Sequence, residues 1–177
     1  MTLSAAQQKF VLHWGEMGAR WGINRTVAQI HALLFLSPRP LDAEEICETL
    51  DVARSNVSTS LRELQSWEIV RVVHVLGDRR DRFETVADVW ELFRRILEAR
   101  KRREIDPTLT VLRECLDVAE SEGGEDPHVV GQIRRMQEFF AQCDRWYGHM
   151  ARLPRASLQR FVRMGSKIPK WLDTKTG

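Results

Sequence analysis

Two groups of polar side chains in this 177-residue sequence have the chemistry to recognise bases and phosphates. The first group combines two guanidinium groups with short hydrogen-bond donors and acceptors: Arg54, Ser55, Asn56, Ser58, Thr59 and Arg62. Val57 and Leu61 are interleaved with them at a spacing of four, which predicts a helix with one buried and one polar face. Arginine and asparagine can make paired hydrogen bonds to base edges in a major groove. This segment is therefore the first candidate for base recognition.

The second group is a basic cluster in a polar turn: Asp78, Arg79, Arg80 and Arg82. Residues 69–75 before the turn are rich in β-branched side chains, and residues 82–86 after it alternate, which predicts a two-stranded hairpin with a basic tip. Such a projection suits a minor groove or the phosphates beside it. A carboxylate matches the fork of a guanidinium, so we expect Asp78 to orient the arginines. We expect Arg80 to be inserted beside the duplex.

The elements that carry these groups follow one another in the order of a winged helix-turn-helix. Asp42, with Glu45 three residues later, predicts a capping box and a short helix that turns Ile46 and Leu50 inward. A tight turn leads to the helix of residues 53–67, and the hairpin follows. Residues 41–86 thus supply helix, turn, helix and β-hairpin contiguously. The predicted fold is mainly α with a small β-hairpin, a winged helix-turn-helix flanked by N- and C-terminal dimerisation helices.

Helical periodicity continues on both sides of this unit. Phe10 and Trp14 belong to an apolar helix face before it, and a second helix, residues 27–36, ends at the prolines of residues 37–40. Further helices are predicted from residue 88, from Pro107 and from Pro127, the last with apolar positions in alternating four-three spacing. We divide the chain into an N-terminal dimerisation helix (1–22), a DNA-binding domain (23–87), a helical dimerisation and effector region (88–170) and a tail (171–177). The apolar stripes exceed what so small a domain can cover alone, which predicts a homodimer.

Composition excludes several classes of protein. Charged residues make up 29% and hydrophobic ones 43% of the chain, as in ordinary globular proteins. The net charge of +2 does not by itself indicate a nucleic-acid partner, but basic residues concentrate in 79–82, 94–103 and 152–170. The latter two runs suit solvated faces as well as phosphate contacts. No apolar run is long enough to cross a bilayer, so we expect no membrane association and no export.

Cysteine and histidine usage points away from disulfide and metal chemistry. The three cysteines are odd in number and widely spaced, which favours a reducing cytoplasm over a disulfide framework. No cysteine or histidine pair has the close spacing of a structural zinc site. Phosphate-binding loops, nucleophile elbows and histidine-centred triads are also missing from the sequence. We therefore expect no metal, no cofactor and no catalytic residue.

Several segments resemble the GbsR-like branch of the MarR family of transcriptional regulators. They are Gly22-Ile23-Asn24-Arg25, Leu33-Leu34, Ser37-Pro38-Arg39-Pro40-Leu41, Glu45-Ile46 with Leu50, Asn56-Val57-Ser58, Leu61-Arg62-Glu63-Leu64 with Trp67, and Gly77-Asp78-Arg79-Arg80. The resemblance covers residues 15 to 105, a little over half of the chain. It implies a homodimer with interlocking terminal helices, a recognition helix in the major groove and wing arginines in the minor groove. Asp78-Arg79-Arg80 matches the Asp-x-Arg that does the latter work in the family.

The sequence departs from this family pattern at two positions. Ala53 stands where a serine is expected to cap the recognition helix, which leaves the helix start without a side-chain acceptor unless Ser55 shifts the cap. Glu68 stands where a glycine is usual after the tryptophan. Neither departure removes a side chain expected to face a groove.

The resemblance also suggests an effector, with a quaternary ammonium compound as one ligand class. Five aromatic residues could form the cage that such a cation requires: Trp90, Phe139, Phe140, Trp146 and Tyr147. Core packing explains the same residues more simply, because aromatic stripes at helical spacing mostly belong to a core.

The leading hypothesis is a cytoplasmic repressor that binds double-stranded DNA as a homodimer on a pseudo-palindromic operator and is released by a small molecule. The alternative is a winged-helix protein-interaction module without specific DNA binding, in which the basic tip is incidental. An enzyme is the weakest hypothesis, because the sequence supplies no catalytic constellation.

Overall fold

The computed structural model describes residues 2–164, which form eight α-helices, a π-helical turn and three short β-strands. The chain divides into two compact units, Met1–Ile96 and Leu97–Gly177. Residues 165–170 of the basic run 152–170, and the predicted tail 171–177, lie outside the described residues.

The N-terminal unit contains α1 (Ala5–Arg20), α2 (Arg25–Leu36), α3 (Ala43–Leu50), α4 (Arg54–Ser66) and most of α5 (Val89–Arg100). Local capping decides where α1 and α3 begin. The Ser4 hydroxyl accepts the backbone N–H of Gln7, and the Gln7 side chain accepts that of Ser4. Asp42 and Glu45 make the same reciprocal pair, so the predicted capping box is confirmed.

The sheet has one strand more than the sequence predicts. β1 (Leu41–Asp42) pairs antiparallel with β3 (Arg82–Thr85), which pairs antiparallel with β2 (Val70–Val73). A strand of two residues is too short for a periodic signal, so the predicted two-stranded hairpin is corrected to a three-stranded sheet. Its register sets Asp42 opposite Arg82 and thereby brings the start of α3 to the base of the hairpin.

The core of this unit lies between the helices and the sheet. Its largest fully buried side chains are Ile30, Leu33, Leu41, Ile46, Leu64, Ile69, Val27 and Val57. They come from α2, β1, α3, α4 and the start of the hairpin, so burial of one common apolar core joins the helix-turn-helix to the wing. The predicted winged helix-turn-helix is confirmed.

The C-terminal unit is helical throughout its described part. A π-helical turn (Lys101–Ile105) leads into α6 (Asp106–Glu122), followed by α7 (Pro127–Ala151) and α8 (Arg155–Met164). Lys101 Nζ lies 2.5 Å from Asp106 Oδ1 and 2.9 Å from Asp144 Oδ1, which joins the turn to α6 and α7. The hydrogen bond to Asp106, and after it the ion pair with Asp144, raises the pKa of Lys101. The predicted helix from Pro127 is confirmed.

Helix α7 buries little of its apolar stripe. No residue of Pro127–Ala151 is buried, although Leu109 and Leu116 of α6 are. Met136, Phe139 and Trp146 are 50%, 59% and 57% exposed. This stripe is therefore available to a further surface.

Candidate nucleic-acid interface

Helix α4 presents a polar face because its apolar residues recur at helical spacing. Val57, Leu61 and Leu64 are buried, and Ser60 is buried with them. The six residues predicted to contact DNA all lie on the exposed side: Arg54, Ser55, Asn56, Ser58, Thr59 and Arg62. The amphipathic pattern thus places the complete polar series on one accessible surface.

The start of α4 lacks a side-chain cap. Ala53 occupies the N-cap with extended backbone angles, φ −61° and ψ 142°, and no side chain accepts a hydrogen bond there. The cap has not shifted to Ser55. Free N–H groups at a helix N-terminus attract anions, so the chain leaves this end open to a phosphate.

Arg62 is directed along its own helix. Its Nε donates to the Ser58 carbonyl oxygen at 3.4 Å, and its Nη2 donates to Thr59 Oγ1 at 3.3 Å. These partners are neutral, so the charge of Arg62 remains uncompensated by them. An exposed guanidinium held in this way can contact a phosphate or a base edge.

The wing turn is organised by Asp78. Its Oδ1 accepts hydrogen bonds from the backbone N–H and the Nε of Arg80, both at 3.1 Å. Its Oδ2 accepts from Arg82 Nη2 at 2.8 Å and from Arg82 Nε at 3.0 Å. The hydrogen bonds from Arg80, and then those from Arg82, hold the pKa of Asp78 well below its usual range. The carboxylate that the sequence predicts to orient arginines therefore contacts two of them.

Arg80 also reaches beyond the wing. Its Nη1 lies 2.7 Å from Asp42 Oδ2, the N-cap of α3. Only 4% of the Asp42 side chain is exposed, against 57% of the Arg80 side chain. The contact is an ion pair, and Asp42 Oδ2 accepts no hydrogen bond among the described residues. The pKa of Arg80 is raised mainly by Asp78 and further by Asp42.

Glu45 extends this network on the α3 side. Arg39 Nη2 lies 2.5 Å from Glu45 Oε1, and Arg82 Nη1 lies 3.5 Å from Glu45 Oε2. The hydrogen bond from Arg39, the N–H of Asp42 and the charges of Arg39 and Arg82 lower the pKa of Glu45 to about 2. Sequence reasoning found Asp42 and Glu45 only as a local capping box. Their second role depends on the register of β1 with β3, for which the sequence holds no signal.

Arg79 and Arg54 differ from these arginines. Both are exposed, and neither side chain makes a hydrogen bond or ion pair with any other residue in 2–164. Elsewhere in the wing, Arg71 Nη2 lies 2.6 Å from Glu84 Oε1, and His74 Nδ1 lies 3.8 Å from Asp81 Oδ1. Arg79 is thus the arginine of the described wing whose charge no carboxylate compensates.

The aromatic residues predicted as an effector cage are distributed over both units. Trp90 lies on α5 in the N-terminal unit, whereas the other four lie on α7. Phe139 and Phe140 contact each other edge to face, with ring centroids 5.7 Å apart. Phe139 and Trp146 are exposed, and Trp90, Phe140 and Tyr147 are half-buried.

A different set of aromatic residues surrounds a cavity in the N-terminal unit. The cavity has a volume of about 200 Å³, and its walls include Trp14, Trp21, Trp67, Met17 and His31. Burial lowers the pKa of His31 to about 4, so its ring is neutral at pH 7. His31 Nε2 is buried without a hydrogen-bond partner among the described residues. Helical periodicity identifies Trp14 only as part of a helix face, because a cavity between four elements has no periodic signature.

Residues 2–164 lack two further classes of feature. The described helices include none of the length and hydropathy needed to cross a membrane. Nor does this part of the chain bring together three or more histidine, cysteine or acidic side chains in an arrangement that could hold a metal ion.

Comparisons with known proteins agree with a winged helix-turn-helix fold. Residues 21–81, which include α2 to α4 and the wing up to Asp81, match the family model described as "MarR family". No curated protein matches the chain. A solved structure described as "Crystal Structure of a transcriptional regulator" is similar, with a TM-score of 0.69 and 18% identity over 89% of this chain and 99% of that chain. At this identity the structural likeness bears on the fold alone.

Proposed function

We propose that this chain, whose residues 21–81 match the MarR family model, is a sequence-specific DNA-binding transcriptional regulator of the GbsR-like branch. The observation that carries the proposal is the exposed polar series of α4, from Arg54 to Arg62, beside a basic wing in a winged helix-turn-helix. In this arrangement the second helix of the motif enters a major groove with its N-terminal residues at the base edges. The wing then lies over the neighbouring minor groove or its phosphates.

The residues proposed to contact DNA have two roles. Ser55, Asn56, Ser58 and Thr59 supply hydrogen-bonding groups for base edges. Arg54 and Arg62 add charge on the same helix. The wing, with Asp78, Arg79, Arg80 and Arg82 at its tip, supplies the flanking element. We propose repression as the mode of action, since a dimer seated on an operator blocks access to that DNA.

The proposed regulator acts as a homodimer. Its support is the exposed apolar stripe of α7, with Met136, Phe139 and Trp146 each at least half exposed. Exposed apolar area of this kind marks protein interfaces. A two-fold dimer would place two copies of α4 about one helical turn apart and would require a pseudo-palindromic operator.

An effector is proposed for the cavity around His31. Three indole rings and Met17 offer an apolar wall, and His31 Nε2 offers one polar partner. A compact, largely apolar molecule with a single polar group suits these walls, and a quaternary ammonium compound suits the indole faces. Leu64 and Trp67 belong both to the cavity and to the end of α4, so an occupant would act directly on the recognition helix.

DNA recovered with the protein from its own cells provides the test duplexes. Fluorescence anisotropy at several salt concentrations should show tight binding to an enriched fragment and weaker binding to a scrambled one. Binding to DNA should fall steeply with salt, because phosphate contacts release counterions. A protein-interaction module predicts no enrichment and no difference between the two duplexes.

Light scattering tests the dimer, and a folded monomer at micromolar concentration would contradict it. Thermal melting with choline and with indole tests the effector cavity, since a ligand that binds the native state raises the melting temperature. Trp14→Ala should abolish such a shift, and Phe139→Ala should preserve it. The opposite pattern would favour the aromatic residues of α7 as the effector site.

A further inference from the structure

Charge is unevenly compensated at the wing. The network between the wing and the start of α3 contains three arginines and three carboxylates in mutual contact: Arg39, Arg80, Arg82, Asp42, Glu45 and Asp78. Its formal charge is therefore zero. The salt-dependent part of DNA affinity comes from cations that replace the counterions of phosphates. A neutral network supplies little of this term, whatever its number of arginines.

Arg80 has few donors left for DNA. Its Nε donates to Asp78 Oδ1 at 3.1 Å, its Nη2 donates to Asp78 Oδ2 at 3.3 Å, and its Nη1 lies 2.7 Å from Asp42 Oδ2. All three nitrogens of the guanidinium thus face carboxylates. Insertion of Arg80 into a groove would separate it from Asp42, whose buried Oδ2 has no hydrogen bond among the described residues. Leaving a buried carboxylate without its cation is costly.

Arg79 has the opposite properties. It is exposed, it lies at the tip of the wing next to Asp78, and no partner in residues 2–164 engages its guanidinium. Its charge is fully available to a phosphate or a minor groove. Asp78 cannot compensate the charge of Arg79 without giving up the hydrogen bonds that it accepts from Arg80 and Arg82.

We infer that Arg79, rather than Arg80, carries the positive charge of the wing to DNA, and that Arg80 is a positioning residue that joins Asp78 to Asp42. This inference rests on the proposed DNA-binding function. It replaces the expectation from the Asp-x-Arg pattern, in which Arg80 is inserted. The wing is held against the N-terminus of α3 by Arg80, so the position of Arg79 relative to α4 is set before DNA arrives.

The test measures how DNA affinity depends on salt, with a random-sequence duplex as the probe. Arg79→Gln should weaken binding about tenfold and reduce the slope of log K against log salt by about one. Arg20→Gln removes an equal charge from an exposed position on α1 and should leave both quantities near those of the wild type. Arg79 and Arg20 are solvent-exposed, so both variants should melt like the wild type.

A charge-balanced double variant, Asp42→Asn with Arg80→Gln, isolates the role of Arg80. Asparagine preserves the N-cap of α3, and the network remains neutral. The double variant should melt at a lower temperature and keep the wild-type salt slope. Loss of a full unit of slope in the double variant, or a wild-type slope in Arg79→Gln, would overturn the inference. Absence of salt-dependent binding by the wild type would instead refute the proposed function, which separates the two failures.

Discussion

A methyl group on Gly18 would lie 2.5 Å from the Cβ of Ala28, so α1 and α2 approach each other at this point without room for a side chain on α1. Alanine is the better helix former by about 1 kcal/mol, but the overlap with Ala28 can be relieved only by moving one helix. We expect Gly18→Ala to lower the free energy of unfolding by about 1 to 3 kcal/mol. Urea denaturation monitored by circular dichroism measures this change.

Gly15 provides the matched control for that substitution. A methyl group there would lie 2.6 Å from Gln29 Cγ, and the Gln29 side chain can rotate away. Gly15→Ala should therefore cost much less than Gly18→Ala, because the gain in helix propensity offsets the repacking. Equal losses in the two variants would contradict the distinction between a rigid and a movable neighbour.

Glu68 adopts a left-handed backbone conformation, with φ +59°. Its carbonyl oxygen accepts a hydrogen bond from Arg95 Nη1, which any residue at this position retains. Glycine adopts this conformation without the Cβ clash, so Glu68→Gly should raise the free energy of unfolding by about 1 kcal/mol. Glu68→Ala removes the side chain but keeps the clash and should bring no gain. A similar gain from both variants would show that the Glu68 side chain, and not the backbone, causes the strain.

Ala53 already has the extended backbone angles of an N-cap. A hydroxyl at this position can accept a free N–H of the first turn of α4, so Ala53→Ser should raise the free energy of unfolding by about 1 kcal/mol. Ala53→Val, which adds no acceptor, should not stabilise the protein. Thermal or urea denaturation compares the two, and no difference between them would mean that the N-terminus of α4 is satisfied in another way.

His31 should make the stability depend on pH. Burial lowers its pKa from 6.5 to about 4, so between these values the unfolded chain binds a proton that the folded chain does not. The contribution of His31 to stability is therefore complete above pH 6.5 and is lost as the pH falls towards 4. The slope in this window approaches about 1.4 kcal/mol per pH unit, and His31→Phe should remove it.

Urea denaturation of both proteins across the pH range provides the measurement. The loss of stability that comes from Glu45 lies mainly lower, between pH 4.5 and 2, because its pKa is lowered to about 2. Identical pH profiles for wild type and His31→Phe would show that folding does not change the pKa of His31.

Asn56 and Arg54 should affect DNA binding differently although both are exposed near the start of α4. Asn56→Ala removes a group suited to a base edge, so it should narrow the difference in affinity between operator and scrambled duplex by about 1 to 3 kcal/mol. Arg54→Ala should weaken binding to both duplexes and reduce the salt slope. Anisotropy titrations on the two duplexes separate these effects, and equal small losses for both variants would place the groove-facing surface elsewhere.

Local patterns in the sequence were sufficient to predict the helices and the polar face of α4. The polar series from Arg54 to Arg62 alternates with buried Val57 and Leu61, and helical spacing alone separates the two faces. The capping box of Asp42 and Glu45 was also predictable, since its two hydrogen bonds join residues three apart. The strand Leu41–Asp42 was not, because two residues cannot show an alternation.

The sequence by itself determined which residues are helical, which side of α4 is polar and that a basic hairpin follows. Only the tertiary structure decided that Arg80 meets Asp42, that Arg82 meets Glu45 and that Arg79 has no partner in the described residues. It also decided that Trp14, Trp67 and His31 surround one cavity. The physical reason is the distance along the chain over which each kind of interaction acts. Helix periodicity and capping act over a few residues, whereas ion pairs and cavity walls depend on strand register and helix packing, which join residues far apart in the chain.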